Sequence, residues 1–231
     1  MNDECLICGA PLEYLPSSRE MVCEICRKPY SSNARCTKGH FVCDVCHTKG
    51  LDEVVSICRS ETSRNPVEVL NRMMSRPFCH MHGPEHHVLV AAALLTVYRN
   101  SGGKVDFDSC LNEIIARGRN VPGGICGNWG CCGAAVSTGI FVSVISGSSP
   151  LAEGPFSLCN TMTSRSLCEI GKVGGPRCCK RDSYLAIQQA VAFAKEKFGV
   201  EMELGDIVCG FYPKNNQCMG DRCPFHPRAS V

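Results

Sequence analysis

The chain has no strong net charge, no long apolar run and no low-complexity tract. Its 24 lysines and arginines nearly cancel 22 acidic residues, leaving a formal charge of +2. That balance gives no electrostatic drive toward nucleic acid or an anionic bilayer, so nucleic acid is disfavoured as a partner. No apolar stretch approaches the roughly 18 residues of a membrane span, so no membrane association is expected. The opening MNDECLICGA lacks the basic and apolar regions of a signal peptide. The expectation is a soluble, cytoplasmic protein, with 44% apolar residues to build a core.

What the chain has instead is cysteine, 20 among 231 residues. In an intracellular setting, C-x-x-C pairs point to metal or redox chemistry more than to disulfides. So many thiols would suffer in oxygen, which suggests an anaerobic host. The thiols follow two patterns. Up to residue 58 they form regular pairs; later they are doublets and singles beside glycines.

The pairs predict a small zinc-ribbon-like domain over 1–58, a polar linker over 59–66 and a mainly α-helical domain over 67–231. Cys5–Cys8 and Cys23–Cys26 flank LEYLPSSREMV, which reads as a hairpin turning at Pro-Ser-Ser. Two knuckles joined in this way give four-sulfur zinc coordination. Cys36, His40, Cys43 and Cys46 satisfy a second zinc, with His47 competing against Cys46 for the last position. A cross-braced arrangement, in which alternate pairs share a metal, is the alternative. Zinc in such modules holds the fold and leaves a docking surface.

Five helical patterns follow: Pro66–Ser75, Glu85–Asn100, Asp106–Gly118, Cys131–Ser146 and Asp182–Phe198. The second is apolar nearly all round and should be buried. The fourth could instead be a strand in its second half. Asp182 is a candidate N-cap and Gly199 a stop. Three groups of chemistry-bearing residues sit near helix starts. The first is His80, His82, His86 and His87 in CHMHGPEHH; the second is Cys126, Cys131 and Cys132; the third is Cys178 and Cys179. Helix N-termini stabilise thiolates and anions, so converging starts would form a thiol-rich pocket with imidazole bases. In the tail, Cys209, Cys218, Cys223 and His226 could close a third zinc site, or one thiol could reach the pocket.

The segments GGICGNWGCCGAAVSTG and CEIGKVGGPRCCKRDSYLAIQQAVAFA resemble the iron–sulfur domain of the L-serine dehydratase and L-cysteine desulfidase superfamily. HGPEHHVLVAAALL is faintly similar to its Gly-Pro segment. The resemblance implies a 4Fe–4S cluster held by Cys126, Cys168 and Cys179, flanked by Cys131, Cys132 and Cys178. It also implies a β-eliminating lyase acting on a small hydroxy- or thiol-bearing substrate. His86 or His87 would be the base, in a segment that includes His82 and Glu85. The whole chain is also similar to an uncharacterised cysteine-rich family of methanogenic archaea and anaerobic bacteria. Two other functions remain open. One is a carrier of a metal, cluster or persulfide for an acceptor protein, using the vicinal cysteines. The other is a zinc-ribbon adaptor with a structural C-terminal domain.

Overall fold

The structure is a computed structural model, and it describes residues 5–47 and 50–228. An N-terminal β-hairpin with cysteine knuckles precedes a mainly helical domain, as the sequence predicts. Strands β1 (Leu12–Val22) and β2 (Pro29–Cys36) pair antiparallel, from Leu12 opposite Cys36 to Val22 opposite Pro29. The expected turn at Pro16-Ser17-Ser18 is not there. LEYLPSSREMV is one strand, and its pairing shifts register between Tyr14 and Arg19. Proline cannot donate to a ladder and is tolerated at a bulge, so the extra residues are absorbed there. The chain reverses instead at the second knuckle. There Cys23 N–H donates to Lys28 O, Arg27 N–H donates to Cys23 O, and Arg27 takes a φ of 57°. The first knuckle has the same pair of bonds, Cys5 N–H to Ala10 O and Gly9 N–H to Cys5 O, with Gly9 at 69°.

After a single turn, α1 (Asp44–His47), the helical body begins with α2 (Asp52–Ser60) and α3 (Pro66–Met74). Helix α3 starts on Asn65, whose side chain accepts from Val67 N–H at 2.9 Å, with Pro66 in the first turn. Helix α4 (His86–Asn100) runs through the core and is buried from His86 to Tyr98. It packs among α2, α3, α5 (Phe107–Arg119), α7 (Gly133–Ser146) and α9 (Cys179–Phe198). An all-apolar helix is stable only when surrounded in this way. Leu51, Val54 and Cys58 join this same core, so it reaches back before the expected boundary at residue 58.

Three sequence expectations change. Residues 133–146 are helical throughout, which removes the strand alternative; a left-handed Gly147 ends the helix. Helix α9 begins at Cys179, so Asp182 lies in its first turn and pairs with Arg181 at 2.9 Å instead of capping. No sequence pattern announces α8 (Glu153–Val173), in which only Met162 and Ser166 are buried. A mostly polar, half-exposed helix carries little apolar periodicity to detect. Helix α6 (Ile125–Asn128) is a single turn before α7, and the tail holds two 3₁₀ turns, Tyr212–Lys214 and Gly220–Arg222. Among the described residues, no helix is long and apolar enough to cross a membrane.

Helices approach closely where glycine allows it. A Cβ on Gly118 of α5 would sit 2.9 Å from the His87 carbonyl oxygen and 3.1 Å from Val88 Cα, both backbone atoms of α4. On Gly171 of α8 it would meet nothing within 4 Å. Gly118→Ala should therefore cost about 1–3 kcal/mol. Gly171→Ala should stabilise by about 0.4–1 kcal/mol. Urea denaturation of the two variants checks both signs.

Candidate metal centres and cavity

The knuckles form two sets of four ligand atoms. Cys5, Cys8, Cys36 and His40 make one; Cys23, Cys26, Cys43 and Cys46 make the other, and in each set the donors lie within 4.8 Å of one another. This is the cross-braced arrangement, and it overturns the pairing of Cys5–Cys8 with Cys23–Cys26. The strand register decides it. Leu12 lies opposite Cys36, which carries the first knuckle to the far end of β2, while Val22 opposite Pro29 leaves the second knuckle at the other end.

The spacings fit tetrahedral zinc. Sulfurs bonded at about 2.3 Å to a tetrahedral ion stand about 3.8 Å apart. Cys8 and Cys36 sulfurs are 3.9 Å apart, and those of Cys26 and Cys43 are 3.7 Å apart. His40 Nδ1 lies 3.2 Å from Cys8 Sγ and 3.5 Å from Cys36 Sγ. Backbone N–H groups of Ile7, His40 and Cys43 point at the sulfurs of Cys5, Cys36 and Cys23. Burial opposes ionisation of Cys23, but the amides of Cys26, Cys43 and Ile25 outweigh it and bring the thiol down to about 6. Cys46 is pushed up to about 12 by burial and by the thiols around it. Crowded thiols of this kind need a cation to ionise together.

The hairpin docks against the helical body. Gly123 N–H donates to Asp44 Oδ2 at 2.9 Å, Arg177 bonds the Tyr14 hydroxyl, and His47 Nδ1 lies 3.1 Å from Glu85 Oε2. Between hairpin and helices lies a cavity of about 500 Å³. The starts of α4, α7 and α9 meet there, bringing His82, His87, Cys126, Cys132, Cys179 and Asp182 to its wall. The expected convergence of helix starts is thus present.

Cys168 does not take part. It is exposed on α8 and does not line the cavity, so Cys126, Cys168 and Cys179 do not face one site. The imidazoles divide by role. Both nitrogens of His82 are engaged: Cys179 N–H donates to Nδ1 at 3.4 Å, and Nε2 lies 3.3 Å from Asn215 Oδ1. His86 donates from Nδ1 to Gly83 O at 3.0 Å, and burial with nearby Lys180 holds its pKa well down. His87 donates from Nδ1 to Val121 O at 2.9 Å, and burial lowers its pKa. Its Nε2 lies against Gly133, where a Cβ would come within 2.2 Å.

Burial pushes Cys132 up to about 12, with Asp182 and Cys126 adding to the shift. Burial likewise pushes Cys178 up to about 11 and Cys179 well above the usual thiol range. A second cavity, of about 20 Å³, is lined by Cys178, Cys209, Cys218, Cys223, Met219 and His226. That is room for one ion or water. The tail residues Cys209, Cys218, Cys223 and His226 do share this cavity, yet their donors do not close to the spacing of the knuckle sets.

Cys79 has no expected role, and His80, expected among the imidazoles at the start of α4, meets Glu85 instead. His80 Nδ1 lies 3.3 Å from Glu85 Oε1, and Cys79 Sγ lies 3.7 Å from His86 Nε2. Glu85 was expected beside a catalytic histidine. It is a fully buried carboxylate shared by both groups. Burial opposes its charge, but His47 and His80 hold its pKa well below the carboxylate range. Cys79 lies beside that histidine cluster and could have been suspected, whereas no local signal ties His47 to Glu85.

The cross-brace predicts opposite outcomes for two double variants. Cys8→Ser/Cys36→Ser removes two ligands from one set and should cost the full chain one zinc. Cys8→Ser/Cys26→Ser removes one ligand from each set and should cost two. Metal analysis after dialysis against a competing chelator reads the difference, and the sequential pairing predicts the reverse.

No curated protein and no solved structure matches the chain. One family model does match, over residues 54–226, which spans the helical body from α2 into the tail and leaves the knuckles outside. The match covers well over half of the sequence, and the chain belongs to this family, a family of unknown function (DUF5714).

Proposed function

We propose that this is a zinc-stabilised metal-handling protein that passes a soft metal ion along its cysteines to an acceptor protein. The two knuckle sets are the structural zinc sites. The observation that carries the reading is the split of the Cys178–Cys179 doublet: Cys179 lines the larger cavity and Cys178 the smaller one. The thiols on either side are electrostatic neighbours in series. Cys126 acts on Cys132, and Cys132 on Cys179. Beyond the wall Cys209 acts on Cys178, and Cys218 and Cys223 act on Cys209. Adjacent thiols suit soft-metal capture and exchange. With Cys132, Cys178, Cys179 and Cys209 held protonated by burial, uptake of an ion releases protons.

The iron–sulfur lyase has less support. Of the three cysteines that the resemblance implies as cluster ligands, Cys126 and Cys179 line the cavity while Cys168 is exposed on α8 and does not. The residues present do not fit that cluster, so no reaction step is derived through it. In that reading His87, at the cavity wall with Nδ1 bonded to Val121 O, would be the base for a small substrate.

Anaerobic Cu(I) titration of the zinc-loaded chain tests the carrier. The wild type should bind Cu(I), and Cys178→Ser/Cys179→Ser should weaken binding by about tenfold or more. Unchanged affinity would sink the relay, and release of sulfide from L-cysteine by the purified protein would favour the lyase.

A further inference from the structure

We infer that His47, His80 and Glu85 form a third metal site, taking one divalent transition ion through two imidazole nitrogens and a carboxylate. The site depends on no thiol of the proposed relay. Its core is Glu85, with no exposure to solvent and with an Oε2 atom that has no hydrogen-bond partner. His47 Nδ1 and His80 Nδ1 are buried atoms that likewise lack a hydrogen bond. All three nevertheless crowd together: His47 Nδ1 is 3.1 Å from Oε2, and His80 Nδ1 is 3.3 Å from Oε1.

Closeness without bond alignment is the telling feature. A plain imidazolium–carboxylate pair would aim an N–H at the oxygen and satisfy both atoms. Donors that instead point at a common ion need no such alignment. Nitrogen and oxygen ligands bonded at about 2.0–2.1 Å to a tetrahedral ion stand about 3.3 Å apart, close to both contacts. Leaving three buried polar atoms unsatisfied would cost about 1–3 kcal/mol each.

The positioning is supported from outside the ligand set. His80 N–H donates to Glu85 Oε1 at 2.6 Å and fixes the carboxylate. His47 ends α1, one residue after the knuckle ligand Cys46, so the second knuckle sets its place. The neighbouring trio of Cys79, Glu85 and His86 also brings its donors within 4.8 Å. That trio already has a cation: Lys180 Nζ sits 3.2 Å from Cys79 Sγ and 2.9 Å from the His80 carbonyl oxygen. The lysine ammonium takes the place of a second ion, which makes the centre mononuclear. Two histidines and one carboxylate leave a coordination position open, as in catalytic rather than structural zinc sites. His47 and His86 also line the larger cavity, so the centre borders the space a small ligand would use.

The test compares His80→Ala and His80→Cys in the full chain, loaded with zinc for counting and with Co²⁺ for spectroscopy. His80→Ala should lose one bound ion. His80→Cys should keep it, and its Co²⁺ form should gain thiolate-to-cobalt charge-transfer absorption over the wild type. An alanine variant with an unchanged ion count overturns the proposal. So does a cysteine variant with the wild-type Co²⁺ spectrum, and this second arm decides if the alanine variant does not fold.

Discussion

Glu85 carries a carboxylate into a place with no solvent, and much of the molecule is arranged around that charge. An unpaired buried carboxylate costs several kcal/mol, so something must answer it. The answer comes from three directions: His47 from the end of the hairpin unit, His80 from the loop before α4, and His86 from the first turn of α4. The same residue immediately precedes α4, the helix about which α2, α3, α5, α7 and α9 pack. A single charged group therefore joins the knuckles to the core.

The two parts of the chain reach stability by different routes. The helical body buries aliphatic side chains on a central helix and interlocks at Gly118 and Gly139. The hairpin has no such core, and Leu6, Ile7, Tyr14 and Val22 remain exposed on it. In the proposed reading its order rests on the two ligand sets, whose metal bonds would replace apolar burial. Holding the second set in place also holds His47, which the body needs. The hairpin is thus one wall of the larger cavity and a supplier of a buried ligand.

Legibility in the sequence followed the range of the interaction. The C-x-x-C spacing marked the knuckle ligands, and apolar or amphipathic runs bounded by proline, acidic and glycine signals marked α3, α4, α5, α7 and α9, because both are local. Which knuckles share an ion was not legible, since it depends on a strand register shifted by the bulge near Pro16. Helix α8 escaped because it buries little, and with it went the placement of Cys168. The doublet at Cys178–Cys179 was visible, but its division between two cavities is a property of where α9 begins. Glu85 was noticed for its neighbours in sequence, while its partners His47 and His80 depend on how the hairpin docks.

Anomalous diffraction at the zinc edge, from crystals of the zinc-loaded full chain, tests the account most directly. Three peaks are predicted: one amid Cys5, Cys8, Cys36 and His40, one amid Cys23, Cys26, Cys43 and Cys46, and one amid His47, His80 and Glu85. A peak shared by Cys5, Cys8, Cys23 and Cys26, or none beside Glu85, would contradict it.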